Sequence, residues 1–234
     1  MMRKGTRFAV SPRQVPPRAS LVGNTRDPGK GFGVAQLSAI QGFVESPGYG
    51  PSPVSNMRGD LVSLGPLRRE LLPTYQRWLN DFGMLKLVDR RFRPHSAEWI
   101  TTWYERHAGG LQDAMVFTIT TNQGNRPIGN VALQDIDYRS RTAEFGIYIG
   151  ETDCRGQGFG TDATRLLLEF AFNILGLNNV MLRVYEYNPG AIRAYEKAGF
   201  REFGRRRKAQ FMDGRFWDVI FMECVAHDAA RSEA

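Results

Sequence analysis

The sequence predicts a single α/β domain with a mixed, mostly antiparallel central sheet and helices on both faces, preceded by a disordered N-terminal extension. Three observations carry this. The 234 residues, 42% hydrophobic and 24% charged, have the composition of an ordinary globular protein. From Asp60 to Val225, period-2 and period-3.6 apolar patterns follow in the order strand, two helices, three strands, helix, strand, helix, two strands, and a meander followed by β-α-β-α-β demands both parallel and antiparallel pairing. The first 56 residues show neither period.

That leader differs in composition as well. Residues 1–60 hold nine of the 25 glycines and seven of the 12 prolines, and their charges account for +5 of the formal +7. The scattered Phe8, Phe32, Phe43 and Tyr49 bury too little to offset a backbone ordering entropy of about 1–2 kcal/mol per residue, so disorder is expected over 1–56. A basic arm could serve RNA or an anionic surface. Its cations stand singly, however, without the interleaved aromatics that stack bases, and an unselected extension ahead of a start at Met57 is the simpler reading. Residues 227–234 are expected to form a flexible tail. No apolar run approaches the roughly 18–20 residues of a membrane span, and the N-terminus lacks a secretory apolar stretch. Cys154 and Cys224 have no CxxC or Cys/His spacing, so we expect a cytoplasmic chain with reduced thiols and no metal.

The elements follow in order. Asp60–Leu64 alternates like a short strand, and Leu67–Leu79 carries a helical stripe through Leu71, Leu72, Tyr75 and Trp78. Ser96 is placed to cap a helix running to His107 and closed by Gly109-Gly110. Ala114–Thr121 and Pro127–Asp135 flank the turn Asn122–Arg126, and the turn Tyr138–Arg141 leads to a strand over Thr142–Ile149. Thr161–Leu175 reads as an amphipathic helix stopped by Gly176, Asn179–Tyr185 as a buried strand, and Pro189–Lys197 as a helix with proline in its first turn. Phe200–Phe211 and Arg215–Val225 form a hairpin about Asp213-Gly214.

The chemistry centres on Arg155-Gly156-Gln157-Gly158-Phe159-Gly160, between a strand and a helix. Glycines allow positive φ and close backbone approach, and N–H groups at a helix N-terminus make an anion site suited to a pyrophosphate. A P-loop is excluded because no Lys-Ser or Lys-Thr follows. A dinucleotide fingerprint is weakened: the spacing is GxGxG, six polar residues separate it from Ile149, and a meander has no place in a doubly wound half, although Glu186 could pass for a ribose-binding acid.

The third reading is acetyl-CoA. Arg155 to Gly160 resembles the [QR]-x-x-G-x-[GA] motif of the GNAT superfamily of N-acetyltransferases, and Asn188-Pro189-Gly190-Ala191-Ile192-Arg193-Ala194-Tyr195-Glu196-Lys197-Ala198-Gly199-Phe200 resembles its N-x-x-A-x-x-x-Y-x-x-x-G-F signature. The resemblance covers about residues 58–226 and is nearest to the ribosomal-protein alanine and polyamine acetyltransferase branch. It implies a GNAT-type domain over 57–226 with acetyl-CoA as co-substrate. Ile147, Tyr148 and Ile149 would pair with the pantetheine amides, Arg155, Gly156, Gln157, Gly158, Phe159, Gly160 and Thr161 would wrap the pyrophosphate, and Asn188, with Ala191 of the same signature, would hold the pantetheine arm.

Acetyl transfer to an amine needs a neutral nucleophile, stabilised charge on the thioester oxygen and a proton for the departing thiolate. Tyr195, protonated at neutral pH, is expected to be the general acid; on spacing alone a core tyrosine sharing a helical face with Ile192 is an equal reading. Glu144 is the candidate base, directly or through water, against a solvent-facing strand residue. Cys154 has no histidine placed to activate it and reads as an inert thiol. The acceptor amine, on a small molecule or a protein N-terminus, is expected to bind within residues 66–110. There Glu70, Asp81, Asp89, Glu98 and Glu105 oppose Lys86, Arg90, Arg91 and Arg93, and the arginines argue mildly against a polyamine. A homodimer is left open. The reading of a different class is a nucleic-acid- or ribosome-associated protein that uses the basic arm and keeps a non-catalytic acyl-CoA-binding domain.

Overall fold

The computed structural model describes residues 54–88, 92–110 and 113–226. The expected extension lies outside the described residues except for its last three positions, as do the tail 227–234 and the run Asp89, Arg90 and Arg91.

Among the described residues, eight strands form one sheet in the spatial order β1-β2-β3-β4-β5-β6-β8-β7. They are β1 (Met57–Arg58), β2 (Val62–Pro66), β3 (Met115–Thr121), β4 (Pro127–Asp137), β5 (Thr142–Ile149), β6 (Asn179–Tyr185), β7 (Arg201–Met212) and β8 (Arg215–Val225). Three helices, α1 (Leu72–Leu79), α2 (Phe82–Val88) and α3 (Ala97–Ala108), fall between β2 and β3. The other two, α4 (Phe159–Glu169) and α5 (Pro189–Lys197), flank β6. The mixed sheet and its element order match the expectation, with β1 and α2 added.

Strand alternation separates two apolar layers. Ile119, Val131, Leu133 and Phe145 face Ala163, Leu166 and Leu167 of α4, with Ile192 and Tyr195 of α5 against the same core. On the opposite face, Val116 and Tyr148 meet Tyr75 and Trp78 of α1, Met84 and Leu85 of α2, and Ile100 of α3. Seven residues cannot hold a helix by propensity alone; α2 exists because Met84 and Leu85 are buried, at roughly 1.5–3 kcal/mol per side chain. Ser96 caps α3 as expected, its hydroxyl accepting from Trp99 N–H at 3.2 Å. The helix after the glycine loop begins at Phe159, earlier than expected, and continues past Glu169 as a π-turn over Phe170–Ile174.

One register feature positions the site. Among the described strands β5 and β6 are the parallel pair, and they match only at Thr142↔Asn179, Ala143↔Val180 and Glu144↔Met181. Beyond that point β5 keeps its pairing with β4 up to Ile149, and β6 keeps its pairing with β8 up to Tyr185. Neighbours that each stay with a different partner must part, and a V opens between Phe145–Ile149 and Leu182–Tyr185.

Candidate active site

The V presents main chain. Ile147 and Ile149 pack their side chains into the α4/α5 layer, and Tyr148 turns to the other face, edge-on to Trp78 at 6.1 Å. What β5 can offer a bound molecule is therefore its unpaired N–H and C=O groups, the donors and acceptors that an amide-bearing arm needs. The Tyr148 hydroxyl is buried without a hydrogen-bond partner among the described residues, and burial pushes it up, so it stays protonated.

The glycine loop closes the wide end. Gly156 and Gly158 take φ of 75° and 90°, values that favour glycine, and Gly158 is the N-cap of α4. Asp162 N–H is the first to find an intrahelical acceptor, Gly158 O at 3.0 Å, so the N–H groups of Gly158, Phe159, Gly160 and Thr161 have no intrahelical partner. Four donors at the positive end of a helix fit a pyrophosphate. Phe159 is anchored in the core below them. The Arg155 side chain does not face the loop: its Nε donates to Ile149 O at 2.9 Å and one terminal nitrogen lies 3.8 Å from Asp81. The Gln157 amide likewise donates to Asp153 O. Both side chains brace the loop.

Tyr195 stands near the point of the V. Its ring meets Phe145 of β5 at 6.0 Å and Phe200 at 5.9 Å, both edge-on, and burial raises its phenol above the usual 10. Core packing and a place beside the opening between β5 and β6 thus coincide at one residue. Asn188 caps α5 by accepting from Ala191 N–H at 3.2 Å, at the head of the β6 arm.

Glu144 lies on the face covered by α1, α2 and α3. Arg183 of β6 donates to its Oε1 from Nε at 2.8 Å and from a terminal nitrogen at 2.6 Å, so the carboxylate belongs to an ion pair that bridges the last matched step of the V. On the same face Tyr185 stacks on Tyr187 at 5.1 Å, Tyr187 meets Trp217 edge-on at 5.4 Å, and the Tyr187 hydroxyl donates to Lys86 O of α2. Cys154 is buried; burial and the Asp153 charge raise its thiol against the pull of Arg126, which leaves it a poor nucleophile.

Sequence reasoning passed over Glu151 altogether. Its carboxylate is mostly buried and accepts from Arg77, from Trp78 Nε1 at 2.8 Å and from Arg126 at 2.9 Å. Burial alone would raise this carboxyl; the hydrogen bonds from Arg77 and Trp78, with Arg126, overcome that and hold it below its ordinary range. A lone glutamate after a strand carries no signal of partners 25 and 73 positions away.

The sequence matches the family of the acetyltransferase (GNAT) domain over residues 62–201. The chain belongs to the GNAT acetyltransferases. It is 39% identical over 92 residues to the spermidine N(1)-acetyltransferase of Vibrio cholerae, a match spanning 39% of this chain and 53% of that enzyme. It is 31% identical over 141 residues to an SPbeta prophage-derived uncharacterized N-acetyltransferase of Bacillus subtilis, covering 60% of this chain and 77% of the relative. Its fold superposes on the crystal structure of the Vibrio cholerae spermidine N-acetyltransferase in complex with CoA and spermine with a TM-score of 0.66, at 28% identity over 72% of this chain and 98% of that one. As a GNAT enzyme the chain is an acyltransferase with acetyl-CoA as co-substrate. The matches lie with acetyltransferases and lend no support to a non-catalytic scaffold carrying a basic arm. No helix among the described residues is long and apolar enough to cross a membrane.

Proposed function

We propose that this enzyme acetylates a primary amine of a small polycation of the spermidine type, by direct transfer in a ternary complex in the cytoplasm. The observation that carries the reading is the parting of β5 from β6 beyond Glu144 and Met181, with Tyr195 against Phe145 at that point. Ile147, Tyr148 and Ile149 offer backbone to the pantetheine amides. The N–H groups of the loop and of the first turn of α4, from Gly156 to Thr161, take the pyrophosphate, with Arg155 bracing from behind. Asn188 directs the donor end of its amide to the arm, its oxygen being used in the cap.

The acceptor approaches from the α1–α3 face. Its nitrogen, once neutral, attacks the acetyl carbon, and the C–N bond forms as the C–S bond breaks. The thiolate takes the proton of the Tyr195 hydroxyl, and the second N–H proton, shed as the amide forms, returns through water to that oxygen. The proton shed by the ammonium leaves through Glu144 Oε2 or a water held there, since both Arg183 contacts fall on Oε1. The relatives' acceptor supports a polyamine, as do Glu144 and the stacked Tyr185 and Tyr187 on this face. Of the arginines that argued otherwise, Arg93 is exposed and Arg90 and Arg91 lie outside the described residues. Residues 1–56 and 227–234 take no part in turnover. Self-association belongs to the same reading: one structure of the Vibrio cholerae enzyme is described as dodecameric, and β7 forms a sheet edge with Phe203 and Phe211 exposed.

Thiol release from acetyl-CoA, followed across spermidine, spermine, aminoglycosides, amino acids and N-terminal peptides, tests the proposal. Release that depends on polyamines, with a singly acetylated product, is expected. Turnover confined to N-terminal peptides would refute the acceptor class.

A further inference from the structure

The glycine loop is tied to the body of the protein at its first residues. Glu151 Oε1 takes Arg77 and Trp78 of α1, and Oε2 takes Arg126 from the turn before β4. Arg126 then forks onto Asp153 at 2.6 and 3.0 Å, and the Gln157 amide closes onto Asp153 O. The donors to Glu151 all come from outside the loop. Beside them the Trp78 ring lies so close to Gly150 that a Cβ there would fall 2.3 Å from it. Glu151 thereby ties the end of β5 to α1 and to Arg126, and Arg126 in turn holds Asp153 in the turn ahead of the glycines.

We infer that Glu151 is a positioning residue for acetyl-CoA: through Arg126, Asp153 and Trp78 it fixes where the loop's N–H groups point. This rests on the reading that the loop holds the pyrophosphate. Electrostatics alone gives the opposite sign. Glu151 and Asp153 are negative charges beside a site for a polyanion, so removing one should tighten acetyl-CoA if charge were all that mattered. If Glu151 acts by position, removing it loosens the loop and weakens binding. A residue that served only the stability of the fold would change neither constant.

Calorimetric titration of the full chain with acetyl-CoA therefore decides. Glu151→Gln keeps the shape and is expected to raise the acetyl-CoA Kd about tenfold or more, the size of one lost charge-assisted bond, with the acceptor KM little changed. Arg126→Gln, at a half-exposed position compatible with folding, is expected to raise Kd further at low salt because it also unmasks two carboxylates. Replacement of the exposed pair Arg69–Glu105 on the same helical layer should leave Kd unchanged. A tighter or unaltered Kd in Glu151→Gln overturns the inference; should that variant not fold, an unaltered Kd in Arg126→Gln does so. If the wild-type protein binds CoA no better than pantetheine, the pyrophosphate reading itself fails and this inference falls with it.

Discussion

Gly158 is where backbone conformation and ligand binding meet most directly. Its φ of 90° is one that an L-residue rarely adopts, and a Cβ there would lie 3.3 Å from Leu61 Cδ1, the movable end of a flexible side chain. The cost of Gly158→Ala is therefore backbone strain, about 1–2 kcal/mol. In a domain of this size that corresponds to a fall in Tm of about 2–8 °C if the loop keeps its shape. If the loop relaxes instead, the N–H groups at the head of α4 turn from their common target. Losing one charge-assisted bond of about 1.5–3 kcal/mol would then weaken acetyl-CoA about ten- to a hundredfold. Thermal melts and calorimetry on the same sample show how the penalty divides. Gly204→Ala is the control: a methyl group there would meet nothing within 4 Å, and its φ lies outside the left-handed region, so Tm and Kd should both stay unchanged. Gly158→Ala with both Tm and Kd unchanged would refute the account of the loop.

Other outcomes are expected. Tyr195→Phe keeps the ring contacts with Phe145 and Phe200, so Tm and the acetyl-CoA Kd should hold while kcat falls about 10²–10⁴-fold; wild-type turnover would remove Tyr195 from the chemistry. Glu151 has a carboxyl held below its ordinary value of 4.5 in the folded state. Its contribution to stability is therefore full above that value and lost as pH falls through the lower folded value. Urea midpoints of wild type and Glu151→Gln should differ at pH 7, and the gap should narrow as pH falls below 4.5; a gap independent of pH would contradict this.

The parts of the site legible in the sequence are those whose geometry is local. Positive φ needs glycine, which exposes Gly156 and Gly158; a helix start needs a cap and tolerates proline, which exposes Asn188 and Pro189. The two signatures then placed Tyr195. The remainder depends on tertiary pairing. The V is a failure of register between strands separated by α4, and no pattern within β5 or β6 announces it. α2 is too short, and carries a glycine at position 83, so only burial of Met84 and Leu85 reveals it. The Glu144–Arg183 pair and the Glu151 hub join residues 39 and up to 74 positions apart. The expectation against polyamines leaned on a run of arginines counted without knowing where they lie.

If the parted strands and the head of α4 hold acetyl-CoA, the cofactor must quench main-chain exchange along both. Amide hydrogen exchange of the full chain, with and without acetyl-CoA, tests this most directly. Protection is expected to concentrate at residues 156–161 and in the 145–149 stretch of β5, with no comparable change along β2 and β3. Protection elsewhere, with these two segments unaltered, would contradict it.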